Sequence, residues 1–281
     1  MTTSVSVDPS PSAPMRRHGS LERLPGSDLA VRMDGAAWDW ALAVALRGTG
    51  APEVEDPIPT PGWDLLMELA NAGMLRTDVT DADVDDLGQL LDPSWAETIR
   101  AARTEGILLS FTCIDARSAW VTEIAVIGAD VLVTDRPQGV QSDEDGIQLL
   151  TGSSPVTVAL STVEEMGRLL RSVLPQWPAF GVAATGRWEV VDGPSSTRPL
   201  DSPAVAEVHL VTTCADPSDG ELHALARHWY ALGVEGEALV SVAGEADEPQ
   251  LVPSSATELM ATIQADLASA ITFLASRAGD R

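Results

Sequence analysis

The sequence predicts an α+β fold in which two antiparallel β-meanders are each followed by a helix, behind a group of N-terminal helices. Apolar residues recur at helical spacing in three segments between residues 34 and 91, whereas short runs rich in Val, Ile and Thr begin at Ile107. The same order of strands and then a helix returns in residues 204–281. We therefore expect two pseudo-repeated meander-plus-helix units, with chance similarity of two α+β halves as the alternative.

The composition favours a soluble protein and excludes some partners. The chain has 281 residues, 44% of them hydrophobic, and 42 acidic against 17 basic residues give a net charge of −25. Such a field repels phosphate backbones and anionic lipid, so neither nucleic acid nor a membrane surface is an expected partner. All 17 basic residues are Arg, which indicates a GC-rich, actinobacterial type of genome.

A cytoplasmic location is expected. We predict no segment that is long and apolar enough to span a bilayer, and the Ser/Pro-rich N-terminus lacks the apolar core of a secretory signal. Cys113 and Cys214 lie in apolar, strand-like runs, which predicts two buried, reduced thiols.

Four regions are predicted along the chain. Residues 1–27 have the composition of a disordered tail, and residues 28–175 form the first helical and meander-helix unit. Residues 176–203 are a Pro-rich linker, and residues 204–281 form the second unit. The two units are expected to make one compact body.

The N-terminal part of the first unit is expected to contain three helices. A strand, Leu29–Met33, precedes Asp34, which caps a helix that ends at Gly48 and Gly50. A Pro-rich loop over residues 51–62 leads to a second helix, ended by Gly73, and a short third helix is predicted over residues 81–91. The inward side chains predicted for the first two helices are Trp38, Ala41, Leu42, Ala45 and Leu46, and then Trp63, Leu66, Leu69 and Ala70.

The first meander is predicted over residues 107–115, 120–127 and 131–135, and residues 95–102 are left open between strand and helix. An acidic loop, residues 138–146, precedes a strand over residues 156–160. The capping box Ser161 to Glu164 is then expected to open a helix that ends before Pro175.

The second meander begins with a strand over residues 206–214 and continues to Val242. A second capping box, Ser255 to Glu258, opens the last predicted helix. Its predicted inward face consists of Leu259, Ile263, Leu267, Ile271 and Leu274.

One acidic cluster resembles a calcium loop. Asp81, Asp83 and Asp85 alternate as the first three ligands would, and Asp92 stands at the twelfth position. Asp86 occupies the sixth position, where that loop requires Gly, so an acidic helix N-terminus is favoured over a calcium site.

The sequence predicts no catalytic, cofactor-binding or metal site. His223 and His228 are five residues apart, which separates them on a helix and puts them on opposite faces of a strand. No HExxH, CxxC, G-x-S-x-G or G-x-G-x-x-G pattern is present, and a chain without Lys cannot form a P-loop.

The chain contains eight Trp residues. Trp38, Trp63 and Trp120 fit core faces, whereas Trp40 lies two residues from Trp38 and so on another side of the helix. Trp177 lies in a predicted loop, where it is either tucked under that loop or exposed as a binding anchor.

The order of these elements resembles the EspG family, the cytosolic chaperones of actinobacterial type VII (ESX) secretion. The resemblance covers residues 29–274 and rests on LAVRMDGAAWDWALAVAL, LLMELANAGMLR, DDLGQLLDP, ILLSFTCIDARSAWVTEIAVIGADVLVTD, VTVALSTVEEMGRLLRSVLP and PQLVPSSATELMATIQADL. It implies a pseudo-two-fold α+β fold that escorts pairs of helical secreted proteins without catalysis. It assigns no partner-contacting residue, and the partner-binding face is unknown from the sequence.

The expected function is that of a non-catalytic, cytosolic protein-binding factor, a chaperone or adaptor for type VII secretion substrates. Two alternatives stay open. One is a regulatory or scaffolding subunit, and the other is an enzyme whose site combines a dispersed Asp or Glu with His209 or His228.

Overall fold

A single antiparallel β-sheet carries helices on both of its faces. The computed structural model describes residues 20–22, 24–47, 49, 58–76, 89–104, 106–115, 118–143, 146–149, 154–174, 177, 180, 206–216, 220–232, 238–243 and 250–279. The strands are β1 (Ser20–Glu22), β2 (Leu29–Met33), β3 (Ile107–Asp115), β4 (Ser118–Ile127), β5 (Asp130–Asp143), β6 (Gly146–Leu149), β7 (Val156–Thr162), β8 (Ala206–Ala215), β9 (Leu222–Leu232), β10 (Ala238–Ala243) and β11 (Gln250–Ser254). The helices are α1 (Gly35–Leu46), α2 (Trp63–Asn71), α3 (Pro93–Thr104), α4 (Met166–Val173) and α5 (Ala256–Gly279).

The strand order joins the two halves of the chain. The sheet runs β1-β2-β7-β5-β4-β3-β8-β9-β10-β11, with β6 paired to β5, and every pair is antiparallel. The predicted α+β class with antiparallel meanders is therefore confirmed. The first meander meets the second at β3 and β8, whose register runs from Leu108 opposite Thr213 to Asp115 opposite Ala206.

The helices divide between two sides of the sheet. We call the side that carries α1, α2 and α3 the back face and the side that carries α4 and α5 the front face. The back-face core joins α1 and α3 to side chains of β2, β4, β5 and β7. The front-face core joins α4 and α5 to side chains that include those of β3, β8 and β9.

The first meander is longer than predicted. β3 has the predicted bounds, whereas β5 continues to Asp143 and pairs with β6. The loop prediction for residues 138–146 is therefore wrong, because ladder pairing overrides the low strand propensity of Asp, Gln and Gly there. At Gly128 the φ angle of 62° fits the tight turn between β4 and β5.

The helix α1 begins as predicted and is buried more widely. Asp34 accepts a hydrogen bond from Ala36 N at 2.8 Å, which is the expected N-cap. Trp40 is only 4% exposed, and its Nε1 donates to Pro59 O at 3.1 Å. The placement of Trp40 away from the core is therefore wrong, because the chain around Ile58 and Pro59 covers that side of the helix.

In α2 the buried side differs from the prediction. Leu69 is fully buried and Leu66 is partly buried, but Trp63 is 74% exposed and Ala70 is exposed. Trp63 is the first residue of the helix and is not among its buried residues, so its predicted core position is wrong. Gly73 follows the helix with φ of 69°, as expected for a C-terminal glycine.

Residues 95–102, left open by the sequence, belong to the helix α3. Asp92 caps it: Oδ1 accepts hydrogen bonds from Ser94 N at 2.9 Å and from Ser94 Oγ. The hydroxyl of Ser94 is the main cause of the lowered pKa of Asp92. The described hydrogen bonds of Asp92 are those of a helix cap. Asp92 is also the only one of the four candidate calcium ligands that lies within the described residues. Asp81, Asp83 and Asp85, with most of the predicted third helix, lie outside them.

The predicted capping box before α4 is wrong. Ser161 and Thr162 belong to β7, and Ser161 Oγ donates to Gly26 O instead. Residue Glu165 precedes the helix without a side-chain cap. The strand is continued by its pairing with β5, which leaves Ser161 facing the segment that leads into β2.

The second capping box is confirmed. Ser255 Oγ accepts a hydrogen bond from Glu258 N at 3.2 Å at the start of α5. The predicted inward face holds for Leu259, Ile263 and Leu267, whereas Ile271 is 51% exposed. Each step of four residues turns a helix about 40° past a full turn, so after three steps the stripe has drifted and Ala270 takes the inward place.

One described helix is long and apolar enough to cross a membrane. The helix segment Ala256–Arg277 has 22 residues, and an 18-residue window within it has a mean hydropathy of 1.3, so the expectation of no such segment is wrong. Length and composition are also met by a helix packed on a core, and here Leu259 and Ile263 pack into the front-face core. Asp266, 1% exposed, forms a two-bond ion pair with Arg227 of β9 at 3.2 and 2.8 Å.

Order begins earlier than the predicted end of the tail. β1 pairs with β2, from Ser20 opposite Arg32 to Glu22 opposite Ala30, and Leu24 is buried. The prediction of disorder over residues 1–27 is therefore wrong from Ser20 onward, because a sheet edge can be extended by a polar segment through backbone bonds. Residues 1–19 lie outside the described part.

Candidate functional site

Three polar side chains meet on the back face of the second meander. Glu207 and His209 are two residues apart on β8, so they point to the same side of the sheet. His228 of β9 stands directly opposite His209 in the register. We call Glu207, His209 and His228 the Glu-His cluster.

The side opposite this cluster fixes its orientation. The even-numbered residues of β8 from Ala206 to Cys214 are buried, and Cys214 Sγ approaches Ala270 O of α5 at 3.8 Å. The odd-numbered residues, with Glu207 and His209 among them, therefore face away from α5. The back-face core beneath α1–α3 contains no described residue of β8–β11. Among the described residues, the back face of these four strands therefore has no cover from that core.

The distances within the cluster are short. Oε2 of Glu207 lies 3.2 Å from Nε2 of His209 and 3.6 Å from Nε2 of His228. The two imidazole rings stack with centroids 3.9 Å apart. The side chains are partly exposed, at 40% for Glu207, 41% for His209 and 28% for His228. One carboxylate oxygen thus stands between two imidazole nitrogens at a surface that solvent can reach.

The environment lowers the pKa of His228. Burial is the main cause that lowers its pKa, followed by the charge of His209, and Glu207 opposes both. The Nε2 atom of His228 is buried and has no hydrogen-bond partner within the described part of the chain. Tyr230, next on the same face of β9, has its ring centroid 4.2 Å from that of His228. Burial and the charge of Glu207 raise the pKa of Tyr230.

This donor set can bind a cation. One ligand atom from each residue of the cluster lies within 4.8 Å of the other two. Imidazole nitrogen and carboxylate oxygen are ligands of zinc and related divalent ions. The sequence prediction of no metal site considered His223 with His228, and it did not consider the combination of Glu207 with two His residues.

His223 belongs to a different environment, as expected for residues five apart on a strand. It lies on the front face, where its ring stacks on Phe273 of α5 at 5.1 Å. Its Nε2 is 3.4 Å from Ser269 Oγ. His223 therefore helps to seat α5 and stands apart from the Glu-His cluster.

The cysteines and Trp177 have packing roles. Cys113 and Cys214 are buried free thiols, as predicted, and burial raises the pKa of both. Trp177 packs edge-on against Trp120 at 5.8 Å and stacks on Phe180 at 5.4 Å. Of the two sequence interpretations of Trp177, these contacts favour the tucked side chain.

A cleft of about 460 Å³ lies on the front face between α4 and α5. We call it the α4–α5 cleft. Its apolar lining includes Met166, Met260, Leu267 and Ile271, and its charged lining is Glu164, Glu165, Arg168 and Arg171. A Cβ on Gly167 would stand 3.3 Å from Met260 Cε, so the end of the Met260 side chain lies against this glycine.

The enzyme hypothesis from the sequence required an acidic residue beside His209 or His228. The structure brings Glu207 to both. Neither the α4–α5 cleft nor the small cavity beside Trp38 and Ile99 is lined by these residues. The cluster is thus a surface feature of an open sheet face. Glu207 was missed because its proximity to His228 depends on strand register.

No protein-family model matches this chain, and no curated protein matches it either.

Proposed function

We propose that the chain is a non-catalytic protein-binding factor, a cytoplasmic chaperone or adaptor for helical substrates of type VII secretion. The observation that carries this proposal is the α4–α5 cleft, a groove with both apolar and charged lining between two helices on the front face. An amphipathic helix binds such a groove by inserting its row of apolar side chains. The expected partner surface is therefore helical.

The lining of the cleft suits a surface that adapts to different helices. One of its apolar side chains, Met260, is unbranched and only partly buried, and a side chain of this kind fits irregular partner surfaces. Ile271 is half exposed on the rim, where a partner helix would cover it. Burying such a side chain contributes roughly 1.5–3 kcal/mol in full, so Ile271 is a suitable anchor.

The local charge of the cleft differs from that of the whole molecule. The chain carries 25 net negative charges, yet the lining pairs two arginines with two glutamates. Arg168 forms an ion pair with Glu165 at 3.1 Å and still keeps two thirds of its side chain exposed. An acidic partner helix is therefore less repelled at this cleft than elsewhere on the surface.

The order of elements supports an internal pseudo-repeat of the EspG-like kind. β3, β4, β5 and β7 followed by α4 stand on one side of the β3–β8 pair, and β8, β9, β10 and β11 followed by α5 stand on the other. Both following helices lie on the front face. In this proposal, duplication of one meander-plus-helix unit created the cleft, because it set two equivalent helices side by side.

Co-purification with matched variants tests the function. The full chain is tagged in its native host, and co-purifying proteins are quantified for wild type, Ile271→Glu and Leu222→Glu. Leu222, 63% exposed, is the matched control, since it lies at the far end of β9 on the back face. We expect enrichment of paired helical secreted proteins that Ile271→Glu abolishes and Leu222→Glu preserves.

Two other outcomes overturn the proposal. Enrichment of a non-secreted enzyme complex, without helical secreted proteins, identifies a regulatory or scaffolding subunit. Retention of the secreted partners by Ile271→Glu at the wild-type level places their binding away from the cleft.

A further inference from the structure

We propose that Glu207, His209 and His228 form a binding site for one divalent transition-metal ion of the zinc class, with a remaining coordination position open to solvent.

The distances between the ligand atoms match a metal centre. Zinc bonds to His nitrogen and carboxylate oxygen are about 2.0–2.2 Å long, so two ligand atoms of a tetrahedral site stand about 3.3 Å apart. Glu207 Oε2 lies 3.2 Å from His209 Nε2 and 3.6 Å from His228 Nε2. The third distance, between a nitrogen of each imidazole, is at most 4.8 Å.

The strands hold these ligands in place. On the reverse side, Val208 and Leu210 of β8 and Trp229 of β9 are buried in the front-face core. A register slip would move all three to the surface and is thereby opposed. Ligands carried by paired strands keep their geometry better than ligands carried by loops.

An unsatisfied nitrogen points to the missing ligand. His228 Nε2 is buried without a hydrogen-bond partner among the described residues, although Glu207 is only 3.6 Å away. A buried nitrogen without a hydrogen-bond partner is unfavourable. Coordination to a cation would satisfy this atom and the carboxylate of Glu207 together.

The donor chemistry selects the class of ion. Two imidazoles and one carboxylate suit zinc, iron, cobalt, nickel or copper in the divalent state. Calcium and magnesium prefer all-oxygen sites, so neither is an expected occupant. Three protein ligands with an open position are typical of sites where the metal binds water or a further ligand. The field of an acidic protein also raises the local concentration of cations.

Calorimetry and cobalt spectroscopy on the full chain test this site. We expect one equivalent of Zn²⁺ to bind in the low micromolar range or tighter, with no comparable heat from Ca²⁺. Co²⁺ should give a visible absorption band of low-coordinate cobalt. His228→Ala and Glu207→Gln should each weaken Zn²⁺ binding by at least about 100-fold, because even the loss of an outer-shell partner typically costs about 10- to 100-fold.

His223→Ala is the matched control, since His223 stands on the same strand and faces α5. His18→Ala is a second control, for a histidine outside the described residues. Both controls should bind Zn²⁺ like the wild type. Circular dichroism checks that each variant is folded, and Glu207→Gln, with a nearly isosteric side chain, covers the case in which His228→Ala fails to fold.

Three results overturn the proposal. They are no Zn²⁺ binding by the folded wild type, several weak equivalents that His228→Ala and Glu207→Gln leave unchanged, and an equal loss in His223→Ala. None of these results bears on the cleft, so this site and the proposed function are tested separately.

Discussion

β7 and β8 differ because the back-face core covers β7, whereas no described residue of β8 belongs to that core. In β7, the four successive residues from Val156 to Ala159 are buried, because the back-face core lies on one side of the strand and the front-face core on the other. In β8, buried and more exposed residues alternate strictly. A strand covered on both faces requires a continuous run of small or apolar side chains, whereas a strand covered on one face leaves every second position free.

The free positions of β8 and β9 are where polar chemistry collects. At back-face positions the covered part of the sheet has Val156, Val158 and Leu132, all buried. The uncovered part has Glu207, His209 and His228, all partly exposed. Among the described residues, the covered part of the back face thus packs into the core, whereas the part that carries the Glu-His cluster stays partly exposed.

The largest expected effect is a charge placed on each half of the back face. Val158→Asp buries an unpaired carboxylate and should lower the free energy of unfolding by at least about 3 kcal/mol. Val211→Asp changes a residue of β8 that is 40% exposed, and should stay within about 1 kcal/mol of wild type. Urea unfolding monitored by Trp fluorescence measures both. Similar losses of unfolding free energy in the two variants would contradict the difference between the covered and the partly exposed part of the back face.

A smaller effect is expected on the front face, where α5 covers the second meander. Arg227→Met leaves Asp266, which is 1% exposed, without its two-bond partner and should lower the free energy of unfolding by about 2–3 kcal/mol. The double variant Arg227→Met/Asp266→Leu should regain much of that loss, because neither side of the pair then needs solvation. Thermal and urea unfolding of the two variants decide this. A double variant less stable than the single one would contradict the account of this pair.

The smallest effect concerns the cap of α3, which covers the first meander. Asp92→Ala removes the side-chain cap and should lower the free energy of unfolding by about 1 kcal/mol at neutral pH. Because the folded pKa of Asp92 is lowered, its stabilisation is fully present above the ordinary value of 3.8 and is lost as the pH falls through the lower folded pKa. The difference between wild type and variant should therefore shrink in strong acid. A difference independent of pH would contradict a role for the ionised cap.

Local patterns were enough to predict much of the fold. The bounds of β3 follow from its run of β-branched, aromatic and sulfur-containing residues, and the Ser255 capping box locates the start of α5. Asp34 marks the start of α1 for the same reason. Each of these signals depends on neighbours in sequence and needs no knowledge of tertiary contacts.

The errors occur where tertiary contacts override local preference. Ser161 has the spacing of a helix cap, yet it faces Gly26 because β5 extends the pairing of β7. Trp40 is off the predicted face of α1, yet the segment at Pro59 covers it. Neither contact has a signature in the neighbouring sequence.

The Glu-His cluster was only partly predictable. The alternation of Glu207 and His209 with buried Val208 and Leu210 places both polar residues on one face, and this could have been recognised. His228 joins them only because the β8–β9 register sets it opposite His209. That register depends on the turn near Gly220, and residues 206–232 have no sequence pattern that fixes its length. The α4–α5 cleft was not predictable, since it requires two helices from separate halves on the same face.

The most direct test of the proposed function is photo-crosslinking from the α4–α5 cleft. A photoreactive amino acid at position 271 in the full chain, expressed in the native host, should crosslink to a helical secreted protein. The same amino acid at position 222, on the back face, should give no such product. Crosslinks to that protein from position 222 and none from position 271 would contradict binding at the cleft.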